Sequence, residues 1–387
     1  MSVPPPLQPP PASSATPLLY RPVKIGALEL GGNLFLAPVA DYFDRCFRSI
    51  CVEEGADFTF TELVSAESVI RSRPDLKPEA DPHPVNALLR RADNEEPYAV
   101  QLFGADSARI EAAAALLGSW RPAILDINAG CPVPKVVKTG AGSALMRNPA
   151  NLGRVVEAAV RASRRSLGGI PVTIKIRSGW DSDSLNYREC ARAATEAGAA
   201  MVSLHPRTRT QNYGGRGDWT QIADLVSRLP VPVTGSGDLF VPEDAERMLR
   251  ETDCAAVMFA RGAMGNPFIF RETRALLLTG SYTPVPAEER IGAGFRHLER
   301  LVRDLGEQKA CREMRKHFCA YTKGGAGCPA LPGSAALRNK LVQAGTVEDY
   351  RRVLGEFLPG FSPDCSSPDR FPKPEPSVRD HLTRPGF

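Results

Sequence analysis

Between Leu34 and Asn266, short runs of apolar and β-branched residues alternate with longer stretches in which apolar residues recur every three to four positions. The short runs have the character of buried strands, and the longer ones that of helices packed along one face. Eight strands are predicted, at 34–40, 58–64, 98–104, 123–130, 172–179, 201–208, 231–239 and 255–262. Helices are predicted between them, over 44–54, 107–117, 151–165, 185–197, 219–227 and 242–250. Two gaps carry a weaker pattern: 68–96 is polar and rich in proline and charge, and 131–147 reads as a long ordered loop. This alternation predicts an α/β fold of parallel strands, either a (β/α)8 TIM barrel or a doubly wound open sheet.

Polar residues favour the barrel. Asp41, Glu62, Gln101, Asn128, Lys175 with Arg177, His205 with Arg207, Gly237 with Asp238, and Arg261 all fall at the C-terminal ends of predicted strands. A barrel brings those ends to one mouth, whereas an open sheet spreads them along an edge. After Asn266 the pattern becomes helical and basic, with 13 Lys and Arg against 8 Asp and Glu over 287–353. A smaller C-terminal helical domain is therefore expected. The expected order is a disordered proline-rich leader (1–20), the barrel (21–284), the helical domain (285–358) and a disordered tail (359–387).

Composition narrows the setting. The apolar runs fall short of the roughly 20 residues that span a bilayer, and the N-terminal segment lacks the basic and apolar regions of a secretory signal. Nine scattered cysteines with no CxxC pair point to reduced thiols in a cytoplasm, and against a disulfide framework or a zinc cluster. A net charge of +4 is mild, so any polyanion must meet a concentrated patch. Arg312, Lys316 and Lys323, with Arg315 and His317 close by, make a basic helical stripe that is either a solvated face or a clamp for a nucleic-acid backbone.

Candidate chemistry lies at the strand ends. The glycine turns GSGD (235–238) and ARGAMGN (260–266) follow the last two strands, where barrels commonly bind phosphate. Arg261 suits a dianion there, and His205 adds a donor. Lys175 lies in an otherwise apolar strand, where only the mouth offers a reason for a cation; beneath a flavin it would stabilise the reduced ring. Gln101 and the backbone of Pro38–Ala40 are placed to hydrogen-bond the same heterocycle. Cys131 follows strand four directly. With an ordinary thiol pKa near 8.5 it is mostly protonated at neutral pH, and with no histidine nearby in sequence it suits a general acid better than a nucleophile.

These stretches together resemble the tRNA-dihydrouridine synthase family, most closely its DusB-like bacterial branch. The resemblance runs over LAPVADYFDRCFR (36–48), VQLFG (100–104), DINAGCPVPKVVKTGAGSALMRNP (126–149), VTIKIRSGWD (172–181), LHPRTR (204–209), GSGD (235–238), ARGAMGNPFIF (260–270) and the region 314–324. It implies an FMN-containing barrel fused to a helical domain that reduces the uracil C5–C6 bond of tRNA uridines, in the D-loop, with NADPH or NADH as reductant. It implies further that Cys131 protonates C5. Pro38, Val39, Ala40, Gln101, Lys175, Ser236, Gly237, Asp238, Ala260 and Arg261 would contact FMN, with His205 near its phosphate. Asn128 and Arg177 would hold the uracil, while Arg315 and Lys316 would meet the tRNA. No metal and no obligate protein partner are implied. Val39, Ser236 and Ala260 depart from the family's usual Met, Asn and Gly. The rival readings are an FMN-dependent ene-reductase or dihydroorotate-type dehydrogenase acting on a small molecule, and a nucleic-acid-binding regulator without catalysis.

Overall fold

A computed structural model describes residues 18–76, 84–323 and 332–358. The expected tail, 359–387, and most of the expected leader lie outside the described residues. Leu19 and Tyr20, expected in the leader, are fastened to the barrel: Asn33 donates to the Leu19 carbonyl at 2.8 Å and the Tyr20 hydroxyl to Asp57 at 2.8 Å.

The chain opens with an antiparallel hairpin, β1 (Val23–Ile25) and β2 (Leu28–Leu30), turning at Gly26 with φ of 57°. The sequence pattern did not reveal it, because three-residue strands are too short to show a period. Its Val23, Ile25 and Leu30 pack with Phe58, Ile124, Met201 and Ala256, residues at or near the strand starts, and so close the lower end of the barrel.

The barrel strands are β3 (Leu34–Leu36), β4 (Phe58–Ser65), β5 (Tyr98–Phe103), β6 (Ile124–Ala129), β7 (Val172–Arg177), β8 (Met201–His205), β9 (Val233–Ser236) and β10 (Ala256–Phe259). All pair in parallel, in sequence order, and β10 closes onto β3. This is the expected TIM barrel. Several strands stop earlier than the apolar pattern suggests, for local reasons. Pro38 has no N–H to give a ladder, and Asp41 sits at φ of 60°. After β8, the Arg207 amide turns back onto the His205 carbonyl at 2.8 Å. The released residues become the rim of the mouth. The gap at 131–147, expected as a loop, forms a helical turn at Pro134–Val137 and a 3-10 segment at Gly142–Arg147.

Helix Ile269–Thr279 completes the outer ring and was not foreseen. Beyond it, helices Ala287–Leu305, Glu307–Lys323, Ser334–Leu341 and Val347–Phe357 pack around Phe295, Leu298, Phe318, Tyr321 and Tyr350. They dock on the first barrel helix, Arg45–Glu53. Arg45 pairs with Asp304, and Arg300 with Glu53 at 2.6 Å. Gly265, at φ of 66° after β10, lies against the backbone of Ala320 and Tyr321, where a Cβ would collide. No described helix is long and apolar enough to cross a membrane.

Asp44 fastens this junction. One carboxylate oxygen caps the helix, accepting from the amides of Cys46 and Phe47 at 2.9 and 3.0 Å, and His297 lies 3.1–3.2 Å from both oxygens. His317 approaches to 3.5 Å, so three potential ligand atoms fall within 4.8 Å of one another. The sequence reading against a zinc cluster had no view of this group, which unites positions 253 residues apart. Asp44→Ala should lose both the cap and the partner of a buried imidazole. A destabilisation of roughly 2–3 kcal/mol is expected, read as a lower urea midpoint at unchanged m.

Candidate active site

A cavity of about 310 Å³ opens at the C-terminal mouth of the barrel. Its wall takes Pro38, Val39 and Ala40 after β3, Asn128 and Cys131 from β6 and its loop, and Lys175 and Arg177 from β7. His205 ends β8, Ser236, Gly237 and Asp238 follow at β9, and Ala260 and Arg261 at β10. Residues spread over more than two hundred positions thus meet because parallel strands all end at one face.

Beneath the thiol runs a chain of buried hydrogen bonds. Thr173 donates to one oxygen of Asp126, and Gln101 donates to the other at 2.6 Å. The Gln101 carbonyl then accepts from Asn128 at 2.8 Å, and Asn128 Oδ1 accepts from the amides of Gly130 and Cys131 at 3.3 and 2.9 Å. Burial pushes Asp126 up to about 6, against the pull of Thr173 and Gln101. Each amide orientation is fixed by the next, so the Cys131 backbone is held by a stack of side chains rooted in three strands. Gln101, expected at the cofactor, is fully buried and does not line the cavity; its side chain links Asp126 to Asn128.

Burial also pushes the Cys131 thiol above its ordinary value, although the Val133 amide, Arg177 and Lys175 pull it back. The sulfur is therefore a thiol at neutral pH. Arg177, expected at the substrate, spends three donor contacts on protein carbonyls: Gly130 at 2.8 Å, Thr208 at 3.0 Å and Asn212 at 2.9 Å. It binds the cysteine loop to the loop after β8.

Cations crowd the wall from β7, next to the cysteine strand, round to β10. Burial, and after it the Arg177 charge, lowers Lys175 to about 8. Burial, with Lys175, Arg177, Arg207 and Arg261 around it, lowers His205 far below its usual value. Arg207 Nη1 lies 3.2 Å from His205 Nε2. A guanidinium only donates, so Nε2 accepts and the neutral ring keeps its proton on Nδ1. Arg207 is almost fully buried and also holds the Gly214 and Gly215 carbonyls at 3.0 and 2.7 Å and Asp238 at 2.6 Å. Asp238 accepts from the Gly217 amide at 2.7 Å and lies 3.6 Å from Arg261. One carboxylate thus faces several cations. Gly237, at φ of 101°, leaves His205 room that a Cβ would take, 2.7 Å from its ring. A positive, glycine-lined recess with a neutral histidine donor fits a phosphate group.

Ser236 turns its hydroxyl to the Met258 carbonyl at 3.1 Å. Arg315 and Lys316 lie away from this cavity, on helix Glu307–Lys323: Arg315 is exposed, and Lys316 pairs with Glu313 at 2.8 Å. His317 of the same stripe is buried. Sequence reasoning placed Arg207 at the mouth without a role. It missed Asp126 and also Tyr213, a half-exposed ring in the wall with Arg177 at 5.8 Å and Arg261 at 5.0 Å from its centroid.

Residues 35–357 match the family model described as dihydrouridine synthase. A probable tRNA-dihydrouridine synthase of Treponema pallidum is 48% identical over 346 residues, covering 88% of this chain and 97% of the relative. A tRNA-dihydrouridine synthase B of Pasteurella multocida is 33% identical over 305 residues, covering 78% and 87%. Among solved structures, histamine dehydrogenase from Rhizobium sp. 4-9 superposes with a TM-score of 0.51 at 13% identity, over 72% of this chain and 50% of that one. At that identity the likeness is one of fold.

Proposed function

Because the chain belongs to the dihydrouridine synthase family, we propose that it is a tRNA-dihydrouridine synthase, which binds FMN at the barrel mouth and reduces the uracil C5–C6 bond of D-loop uridines. The reductant in this reading is NADPH, with NADH the alternative, and the place of action is the cytoplasm. The observation that carries it is the shared cavity: a protonated Cys131 thiol on one wall and the phosphate-fitting recess of His205, Gly237 and Arg261 on another.

Bound there, FMN would supply hydride chemistry at uracil C6. The recess would hold its phosphate, and Lys175 would lie where negative charge collects on the heterocycle. Cys131 holds a proton at Sγ and delivers it to C5. Asn128 and Arg177 keep that sulfur in place through the loop backbone, and each retains donor capacity toward a base. The target uridine must leave its stack to enter the mouth, so affinity has to come from the flanking backbone. Arg315 and Lys316 would supply part of it from the helical domain.

The decisive experiment maps dihydrouridine, site by site, in tRNA from cells lacking this protein, with and without the gene restored. Loss at D-loop positions that returns on restoration is expected. Purified protein with FMN and NADPH should then turn over only when unmodified tRNA is added; turnover on a small enone or dihydroorotate alone would overturn the assignment.

Lys175 makes the site sensitive to pH. Its charge is present below about 8 and is lost as pH rises through that value, while His205 is already neutral there. The apoprotein's affinity for FMN, read by quenching of flavin fluorescence, should fall between pH 7 and 9. Lys175→Met should bind FMN weakly at both, without that slope.

A further inference from the structure

The rim of the mouth farthest from the helical domain carries a second cluster of cations. Arg147 ends the 3-10 segment after β6, Trp180 follows β7 and Arg209 follows β8. The Arg147 guanidinium lies 4.8 Å, and that of Arg209 4.7 Å, from the Trp180 ring centroid. Backbone bonds fix the arrangement: the Arg209 amide donates to the Gly179 carbonyl at 2.9 Å, and that of Thr210 to the Trp180 carbonyl at 3.0 Å. Three successive strands thus hold two guanidinium groups on one indole.

Among the described residues no carboxylate pairs with Arg147 or Arg209, whereas Arg188 and Arg192 on the next helix pair with Asp224 and Glu196. Arg147 is exposed, as are Lys135 and Lys138 on the cysteine loop. An indole orients a guanidinium without cancelling its charge, because the attraction is to the ring quadrupole. Such a device presents positive charge at low entropic cost, and with two cations resting on it the ring is no free platform for a base.

The placement adds direction. In the closed order β3 to β10, strands β6 and β7 stand across the barrel from β10 and β3. The helical domain docks on the β3 and β10 side, through Asp44, Arg45 and Gly265. The cavity with Cys131 therefore lies between Arg315 and Lys316 on one side and the arginine pair on the other.

We propose that Arg147 and Arg209, braced on Trp180, form a second phosphate-binding wall that grips the substrate RNA backbone on the side of the mouth opposite the helical domain. The inference rests on the tRNA-modifying reading above. Two walls holding the strand on both sides of the flipped nucleotide would keep the target base over the cavity.

The test is a salt titration of holoprotein binding to unmodified, transcribed tRNA. Arg147→Gln with Arg209→Gln should weaken binding about 10–100-fold at low salt and make the log Kd against log salt slope shallower by about 1.5, the share of two phosphate contacts. Trp180→Ala removes the brace but no charge, so affinity should fall with a smaller change in slope, and Trp180→Phe should largely restore it. Arg315→Glu with Lys316→Glu serves as the reference for the other wall. Wild-type affinity and slope in the double variant would overturn the wall while leaving the enzyme assignment intact. A raised KM for NADPH with tRNA affinity unchanged would overturn it too, by assigning the arginines to the reductant. A wild-type protein that neither binds nor modifies tRNA would bring down both readings. Thermal melting of each variant, unchanged for these rim positions, separates lost contact from lost fold.

Discussion

Cys131→Ala should bind flavin as the wild type does and yet form dihydrouridine about 10²–10⁴-fold more slowly, the usual contribution of a positioned general acid. The substitution removes one sulfur from a loop held elsewhere, by Asn128 Oδ1 on the Gly130 and Cys131 amides and by Ser143 N–H on the Cys131 carbonyl at 3.0 Å. The cation-lined recess lies on other strands and should not change. Burial keeps the thiol protonated, so the wild type should not lose its acid as pH rises through the ordinary thiol range. The measurement is single-turnover dihydrouridine formation beside NADPH oxidation in the same sample. Oxidation with little modified base is the expected pattern. Unimpaired modification would place the proton source elsewhere, with water the first candidate.

The roles legible in the sequence and those hidden in it differ in physical kind. The eight strands and the convergence of polar residues could be read because a parallel barrel writes its core as apolar runs and its mouth as the residues just after them. Cys131 and Lys175 could be read for the same reason, since each breaks an apolar pattern where only the mouth explains it. Gln101 could be placed at a strand end, but its buried bonds to Asp126 and Asn128 could not be read. Whether a strand-end amide faces a ligand or a neighbour depends on which carboxylate lies beneath it, and Asp126 comes from the next strand over. Likewise the Asp44, His297 and His317 junction joins two domains whose docking leaves no local periodicity. The stripe on helix Glu307–Lys323 reads as basic in sequence, but His317 belongs to its buried face and Lys316 is paired. Arg207 shows the limit most clearly, because its partners besides His205 are carbonyls farther along its own loop and Asp238 after the next strand.

Arg207→Ala should yield a protein that purifies without flavin, with FMN affinity lowered about 10²–10³-fold. The guanidinium fixes four things at once: the His205 tautomer, the Gly214 and Gly215 carbonyls, and the Asp238 carboxylate. Its loss removes a buried cation from behind the recess wall together with its bond to the Asp238 carboxylate, and a hydrogen bond to a charged group is worth roughly 1.5–3 kcal/mol. It also leaves Asp238 facing the recess with only the Gly217 amide and a more distant Arg261, so that a carboxylate confronts the phosphate. Arg207→Lys should not rescue, since one ammonium cannot reach the partners of a planar fork. Folding and binding can be separated by pairing Arg207→Met with Asp238→Asn. Breaking a buried ion pair on one side costs about 3 kcal/mol, whereas replacing both partners removes the stranded charge. The double variant should therefore regain most of the lost thermal stability while staying colourless. A yellow double variant would show that the recess binds phosphate through its backbone and Arg261 alone, and that Arg207 serves only to fold the loop at 208–217.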